Sequence, residues 1–338
     1  MSRTLLISIL LVLIMITASC AKRNTSYEDG NAAELIRTIP VVGNPTHISY
    51  GGDRLYVALD QGGMAVVNTT DYNMEMFTSL TSDDGSVTAL NRIRFTDCVA
   101  EHDMLVIYDT YDTDNITFVN TANPDSLKPY ARIIGESQNI LDLSLRKLDN
   151  DPNGNIVELL YVLTDAIKYG RNDGGFWLGN ETSIAVDVPI KGVDMDDDNF
   201  YVAVDQRGLF TYSRESTQLL SEIAFYGYAQ KLAVNDKIAY IAARHGGLQI
   251  VDVSNPAQPV HLAEFDTDGY ASDIAYKNGM VAVSSGGGGV YLFDVSNPAK
   301  PKLMDHITDC GYANTVTFVE NTIVVASRDD GVLIYAID

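Results

Sequence analysis

The hydrophobic positions of this chain fall into short runs separated by polar turns, and near the C-terminus the runs repeat. A Gly-Tyr-Ala triplet stands at 227–229, 269–271 and 311–313, each copy 42 residues after the previous one. Apolar runs ending in Asp at 248–252 and 290–294 are both followed by Val-Ser-Asn-Pro, in the same phase. A repeat of about 40–45 residues built from short strands is typical of a β-propeller blade.

The number of blades follows from the third strand of each repeat. Seven segments begin with Gly or Asn and continue as an apolar run, at 63–67, 115–119, 175–178, 208–212, 247–251, 289–293 and 331–334. Two shorter apolar runs precede most of them, and helical periodicity is not sustained anywhere after the first twenty residues. We therefore predict an all-β, seven-bladed β-propeller with four antiparallel strands per blade and almost no helix.

The two ends of the pattern are complementary. The last repeat ends at Asp338 after its third strand, whereas 34–39 reads as a strand that has no blade of its own. We predict that residues 34–42 supply the outer strand of the seventh blade and so close the ring. Pro40 suits an outer strand because no neighbour there needs its missing N–H. The predicted propeller domain is 34–338.

The spacing of the third strands is irregular in blades 2 and 3. The segments that begin at 63, 115 and 175 are 52 and 60 residues apart. We place the extra residues in loops at 110–114, 149–156 and 166–174. Additional loop length on a rigid scaffold often carries function, although sequence drift produces it as well.

The N-terminus has the pattern of an export signal. A short basic start, an apolar run from 5 to 16 and small residues before Cys20 predict a signal peptide at 1–19. The apolar run is shorter than the roughly 20 residues of a spanning helix. The pattern resembles the lipobox of bacterial lipoproteins, which implies that Cys20 is acylated, for example with palmitate, and begins a lipidated flexible tether at 20–33. Ordinary secretion with an incidental cysteine is the alternative.

The net charge bears on the class of binding partner, and the positions of the cysteines bear on whether a disulfide can form. The formal net charge is −22, which repels phosphate backbones and disfavours nucleic-acid binding. An acidic surface can also serve only to keep the protein soluble, without any role in binding. Cys98 and Cys310 fall in the second and seventh blades, too far apart for the Cα separation of about 7 Å that a disulfide allows. We predict two buried, unreactive thiols.

The runs at 248–252 and 290–294, each followed by Ser-Asn-Pro, resemble the LVIVD repeat of bacterial and archaeal surface proteins. The resemblance is clear in blades 5 and 6 and partial in blade 7, where Ala336 replaces the aspartate. It implies a propeller fold and the cell surface, and it implies no chemistry. We expect Asp252 and Asp294 to accept backbone N–H groups in Asx turns.

One face of such a ring gathers the loops that enter each first strand and the loops that join the second and third strands. We call it the upper face, and there we expect aromatic, basic and amide groups suited to a glycan or a peptide. The alternative is that the repeated tyrosines only pack neighbouring blades together. The candidates are Tyr228, Tyr270, Tyr312, Arg244, His245, Arg328, Asp329, Gln206, Arg207 and Gln61.

A second candidate site is a calcium loop in blade 3. Oxygen side chains alternate from Asp149 and a Gly stands at the sixth position, as in calcium-binding loops. The twelfth position is Leu160, so Glu158 would have to replace the usual glutamate, and a solvated turn has the same composition. The predicted ligands are Asp149, Asp151, Asn153, Asn155 and Glu158. The acidic segment 194–199 is a weaker candidate because it lacks the Gly.

The five histidines show no metal-ligand spacing, and no nucleophile motif is present. We therefore predict a non-enzymatic, monomeric module that binds a protein or glycan partner. The resemblance to bacterial lipoproteins implies that this module is lipid-anchored in the bacterial cell envelope, at the outer membrane. Beyond calcium, no cofactor is expected. The alternative function is a metal-dependent hydrolase with its site at the mouth of the propeller channel.

Overall fold

Seven four-stranded antiparallel sheets form the molecule, and the predicted fold class is confirmed. The computed structural model describes residues 31–91, 95–101, 103–109, 116–123, 126–133, 139–147, 157–172 and 182–338. The signal peptide, Cys20 and most of the predicted tether lie outside these residues. In the described part, helical structure is confined to one 3-10 turn at Asp205–Arg207.

Strands are numbered along the chain, beginning with β1 (Ala33–Ile39). Blade 1 contains β2 (His47–Gly51), β3 (Arg54–Ala58), β4 (Met64–Asn68) and β5 (Met74–Phe77). A separate hairpin of β6 (Ser79–Thr81) and β7 (Val87–Ala89) follows. Blade 2 contains β8 (Phe95–Glu101), β9 (Met104–Asp109), β10 (Ile116–Asn120) and β11 (Lys128–Ile133). Blade 3 contains β12 (Asp142–Lys147), β13 (Val157–Val162), β14 (Ala166–Asn172) and β15 (Thr182–Ala185).

The second half of the chain is more regular. Blade 4 contains β16 (Gly192–Met195), β17 (Asn199–Val204), β18 (Gly208–Ser213) and β19 (Leu219–Ile223). Blade 5 contains β20 (Lys231–Asn235), β21 (Ile238–Ala242), β22 (Leu248–Asp252) and β23 (Val260–Phe265). Blade 6 contains β24 (Asp273–Lys277), β25 (Met280–Ser284), β26 (Val290–Asp294) and β27 (Lys302–Ile307). Blade 7 contains β28 (Ala313–Val319), β29 (Thr322–Ser327) and β30 (Gly331–Ile337).

The first strands of the blades surround the axis. Each of them contacts the first strand of the next blade, and β28 of blade 7 contacts β2 of blade 1, which makes the ring continuous. The second and third strands are buried on both faces because each sheet is covered by its two neighbours. Leu55–Ala58 and Val290–Phe293 show this, since none of these residues is exposed. The hydrophobic clusters lie between consecutive blades, so the core is divided into interfaces around the ring.

The N-terminal strand closes the ring as predicted. β1 is the outer strand of blade 7 and pairs antiparallel with β30, from Ala33 opposite Ile337 to Ile39 opposite Val332. Ile39 is buried with Val332 and Val57 in the interface between blades 7 and 1. The residues just before β1 are also tied down, because Asn31 forms a β-bridge with Asp305 of blade 6.

Blade 3 differs from the prediction. Its third strand is Ala166–Asn172, which pairs with Val157–Val162, whereas the pattern of apolar runs predicts a loop at 166–174 and a third strand at 175–178. The segment 175–178 lies outside the described residues. The true strand was overlooked because it carries a lysine, an arginine and an asparagine, and few of its side chains are apolar. A tight turn, in which the Leu163 N–H donates to the Ala166 carbonyl at 2.8 Å, joins it to β13.

Two smaller expectations are confirmed. Cys98 and Cys310 are buried, and no disulfide joins them. The carboxylate of Asp252 accepts the Ser254 N–H at 2.8 Å, and that of Asp294 accepts the Ser296 N–H at 2.9 Å, as expected for Asx turns. The aspartates of the repeat therefore shape the turn after the third strand.

Candidate functional site

The backbone brings the predicted upper-face loops together. The Tyr228 N–H donates to the Ala243 carbonyl at 3.0 Å, which holds the entering loop of blade 5 against its own second-to-third-strand loop. Arg244 then forms a β-bridge with Ala271 of blade 6, and Gly286 forms the equivalent bridge with Ala313 of blade 7. The upper faces of blades 5, 6 and 7 are thus one hydrogen-bonded surface.

Arg244 occupies the centre of this surface. Its guanidinium lies 5.6 Å from the ring centroid of Tyr228 and 5.0 Å from that of Tyr270, within cation–π range of both. His245 meets Tyr270 edge-on, with ring centroids 5.5 Å apart. Within the part of the chain that the structure describes, Arg244 forms no salt bridge, and its buried Nε has no hydrogen-bond partner. A cation fixed by two aromatic rings is thereby left available to an external acceptor.

Blade 7 carries a related but neutralised arrangement. The Arg328 guanidinium lies 4.3 Å from the Tyr312 ring centroid, and its Nε donates to Asp329 at 3.2 Å. The other Asp329 carboxylate oxygen accepts the Tyr312 N–H at 2.9 Å. The hydrogen bond from Arg328 and then that from Tyr312 lower the pKa of Asp329. Arg328 and Asp329 are both exposed. Because their opposite charges are already paired, little net charge is left here for a ligand.

The tyrosines also pack neighbouring blades, which was the alternative given above. The Tyr312 ring lies over Gly286 of blade 6, where an added Cβ would come within 3.0 Å of the ring. Gly286 stands at the position of Arg244 in the repeat and has a φ of 56°, in the left-handed region. Blade 6 therefore presents a glycine loop, and the neighbouring tyrosine fills the place of its missing side chain.

Blades 1 and 4 contribute different groups to the upper face. Gln61 and Gln206 are exposed in the matching loops. Arg207 pairs with Glu222 on β19 and lies 4.8 Å from the Phe210 ring centroid, so it leans toward the outer strand of blade 4. Asp60 and Asp205, in the same loops, each have one buried carboxylate oxygen without a hydrogen-bond partner among the described residues.

The predicted calcium ligands fall into two groups. Asp149, Asp151, Asn153 and Asn155 lie outside the described residues. Glu158 is buried, and its carboxylate accepts hydrogen bonds from Tyr169 at 2.6 Å and from Arg214 at 2.5 Å. Calcium binding here remains a prediction, and a chelator-dependent change of the melting temperature would test it.

The weaker acidic segment at 194–199 is a structural turn. Asp196 accepts the N–H groups of Asp198 and Asn199 at 2.8 and 2.9 Å, and it pairs with Lys237 of blade 5. Across all the described residues, no group of three or more His, Cys, Asp or Glu side chains could hold a metal ion.

Among the described residues, the inner strands carry three carboxylates that join blades, and of these only Asp194 lies in a segment, 194–199, that the sequence pattern marks. Asp142 accepts the Val193 N–H at 2.8 Å, and Asp194 accepts the Val234 N–H at 2.8 Å. Asp273 accepts the Val316 N–H at 3.2 Å, and Asp142 also pairs with Lys231. Each carboxylate joins the first strand of one blade to that of the following blade or of the one beyond. These groups connect the blades of the ring, and no repeat or motif marks Asp142 or Asp273.

Comparison with known proteins agrees with this architecture. The LVIVD repeat family matches residues 226–267 and 268–309, which are blades 5 and 6. The chain carries LVIVD repeats. No curated protein matches the sequence. No helix among the described residues is both long and apolar enough to cross a membrane.

Solved structures show the same fold at low sequence identity. The computationally designed Ika8 protein is similar with a TM-score of 0.63 and 12% identity, over 90% of this chain and 100% of that one. The β-propeller domain of Cps50 (Swd1) from Myceliophteria thermophila is similar with a TM-score of 0.67 and 10% identity, again over 90% and 100%. The chain is a β-propeller, a fold that typically serves as a binding or scaffold module.

Proposed function

We propose that this protein is a non-enzymatic lipoprotein of the bacterial cell envelope, anchored through Cys20 at the outer membrane, whose upper face binds a protein or glycan partner. The export signal and the cysteine after it support the anchoring. The LVIVD repeats support a surface location by their resemblance to surface proteins. The monomeric ring would act as a rigid platform for its partner.

The upper face is proposed as the binding surface because several buried polar atoms in its loops lack hydrogen-bond partners. Buried polar atoms are normally hydrogen-bonded, and each exception needs an explanation. Three of the orphaned atoms among the described residues belong to Asp60, Asp205 and Arg244, all in upper-face loops. The chain has 45 acidic and 23 basic side chains, and yet Arg244 has no acidic partner in the described structure. These groups fit a ligand that brings its own carboxylate and hydroxyl or amide groups.

The test is capture of a partner from envelope extract with the purified ring. We expect the Arg244→Ala variant to lose at least about tenfold in affinity, because a charge-assisted hydrogen bond at a partly buried site is worth about 1.5–3 kcal/mol. Raising the salt concentration should weaken capture by the parent protein more than capture by the variant.

Arg207→Ala is the matched control. It removes an arginine from the equivalent loop of blade 4, but one that already pairs with Glu222 and leans outward. We expect capture to be unchanged. If Arg244→Ala captures the partner as well as the parent protein does, the proposed face is wrong.

A further inference from the structure

A groove on the outside of blade 2 lies well apart from the upper face. The β6–β7 hairpin, inserted between blades 1 and 2, packs beside the outer strand β11. Leu80 and Leu90 of this insertion are buried in one cluster with Leu127, which fixes the hairpin to the blade. The turn of the hairpin, the end of β10 and the start of β11 line the groove.

Polar contacts close the sides of the groove. Lys128 of β11 pairs with Asp83 in the hairpin turn, and Arg132 of the same strand donates to the hydroxyl of Thr88. Both cations of β11 are therefore engaged by the hairpin. A phosphate or sulfate would have to displace these contacts and would also meet a chain of net charge −22. The groove is a poor site for an anion.

Tyr130 lies between these two contacts. The strand has a β-bulge here, since Phe118 pairs with Ala131 and Val119 pairs with Pro129, so Tyr130 is the extra residue, and it lines the groove together with Lys128 and Arg132. Tyr130 is 38% exposed, and its ring centroid lies 6.2 Å from that of buried Phe118. Burial raises the pKa of Tyr130 to about 12, so the hydroxyl stays neutral and can donate a hydrogen bond. The groove thus presents an aromatic ring that is supported from behind and carries a polar tip.

The remaining lining combines polar groups with the apolar residues Ala122, Pro129 and Ala131. Ser82, Asp84 and Ser86 stand on the hairpin side, and Asn120 and Ser126 stand on the blade side. The cavity measures about 790 Å³, within the range of roughly 300–1,000 Å³ usual for small-ligand sites. An apolar ligand would desolvate these polar groups without offering them hydrogen bonds, which disfavours its binding.

We propose that this groove binds a neutral oligosaccharide of a few sugar units. A sugar ring offers an apolar C–H face that can stack on Tyr130 and hydroxyl groups that both donate and accept hydrogen bonds. The carboxylate of Asp84, the amide of Asn120 and the serine hydroxyls match those hydroxyls in kind. The site is independent of the upper face, so it would bind glycan whether or not a partner occupies that face.

The test is calorimetric titration of the purified ring with neutral tetrasaccharides of glucose, mannose, xylose and N-acetylglucosamine. We expect at least one of them to bind, and Tyr130→Ala to weaken that binding by about tenfold or more, because the variant loses both the stacking surface and the apolar area that the ring would bury. Tyr130→Phe keeps the ring and should lose much less.

Controls separate this site from general effects. Tyr226→Ala removes a tyrosine that is 71% exposed in the loop before β20 and should leave binding unchanged. Ser126→Trp fills the groove without removing Tyr130 and should abolish binding, which keeps the test valid if Tyr130→Ala fails to fold. Arg244→Ala should have no effect on the tetrasaccharide. Failure of all four sugars to bind at about 10 mM, or equal binding by Ser126→Trp, would overturn the proposal.

Discussion

At the scale of single residues, carboxylates of the inner strands connect neighbouring blades by accepting backbone N–H groups. Asp194 accepts the N–H groups of Val234 and Met195, both at 2.8 Å, and the hydroxyl of Ser144 at 3.0 Å. It is half-buried. Burial raises the pKa of Asp194 to about 6 against the effect of these hydrogen bonds, and the nearby charge of Asp142 raises it further.

This shift predicts a specific pH dependence. Because the folded-state pKa of Asp194 lies above its unfolded value of 3.8, the native state binds the proton more tightly, and stability falls as the pH rises from about 4 to 6. Asp194→Asn cannot titrate. We expect the free energy of unfolding of the variant, relative to the parent protein, to increase by about 2 kcal/mol over that window. Urea titrations at several pH values measure it, and parallel pH profiles for the two proteins would contradict the prediction.

Residues on the upper face could be located from the sequence, whereas those of the inner ring could not. Tyr228, Tyr270 and Tyr312 recur every 42 residues, so the repeat gives their common position. The first residue of the inner strand varies from blade to blade, for example Asp142 in blade 3, Gly192 in blade 4 and Lys231 in blade 5. The contacts of these inner-strand side chains are made with residues of a neighbouring blade. The sequence pattern of one blade does not show which residues those are.

At the scale of elements, blades 3 and 4 are joined by a buried ionic cluster. Glu158 of β13 is 1% exposed and Arg214, in the turn after β18, is 12% exposed. Tyr169 of β14 donates to Glu158, and Arg214 donates to both of them. Arg171 of β14 completes the cluster at 3.3 Å from Glu158. Burial by itself would raise the pKa of Glu158, but the hydrogen bond from Tyr169 and the charge of Arg214 lower it overall.

Removal of this carboxylate should loosen the interface between the two blades. Glu158→Gln leaves Arg214 buried without its counter-ion, and such a loss costs about 3 kcal/mol. Since the folded pKa is lowered, the contribution of Glu158 is present above its unfolded pKa of 4.5 and is lost as the pH falls below it. A lower urea midpoint at pH 7, with a smaller difference at pH 3, is the expected result.

The surface pair of Arg146 and Asp197 is the control. It also joins blades 3 and 4, but the Asp197 side chain is 79% exposed. We expect Asp197→Asn to change the free energy of unfolding by less than about 1 kcal/mol. Equal effects of the two substitutions would show that burial does not set the strength of the cluster.

Strands with a clear run of apolar residues were predictable from the sequence, whereas mostly polar or very short strands were not. The third strand of blade 3 was placed too late because Ala166–Asn172 is mostly polar. The β6–β7 hairpin escaped prediction as well, although Asp84-Gly85 in its turn is a typical hairpin signal. Its strands are only three residues long, and their stability comes from packing on blade 2.

At the scale of the whole molecule, one strand converts an open array into a ring. β1 pairs along the full length of β30, and the Asp338 N–H donates to the Ala32 carbonyl at 3.0 Å. The number of blades was predictable from the repeated third strands. The closure was predictable because the last repeat lacks an outer strand, whereas residues 34–39 form a strand without a blade of their own. The residues that line the groove on blade 2 were not, since they come from an insertion outside the repeat.

Deletion of residues 31–42 should therefore expose β30 as a free edge. We expect a lower melting temperature and a shift toward oligomers, because unpaired edges associate. Light scattering after size exclusion and thermal denaturation measure both effects. Deletion of residues 21–30 removes none of the contacts described above and should change neither.

A synthetic peptide of residues 31–42 provides the complementary experiment. Added to the shortened ring, it should restore the melting temperature in a concentration-dependent manner, because it binds only the folded state. A peptide with Ile39→Asp should not, since Ile39 is the buried side chain of the strand. A shortened ring that is as stable as the parent protein would contradict the role given to β1.

The direction of β1 sets how the protein would stand on a membrane. β30 runs away from the upper face, and β1 runs antiparallel to it, so the chain enters the ring at the opposite, lower rim. A lipid at Cys20 would be attached there by residues 21–30, which can span at most about 35 Å. Arg244 and its two tyrosines would then point outward from the bilayer, while the groove on blade 2 would open sideways near its lower rim.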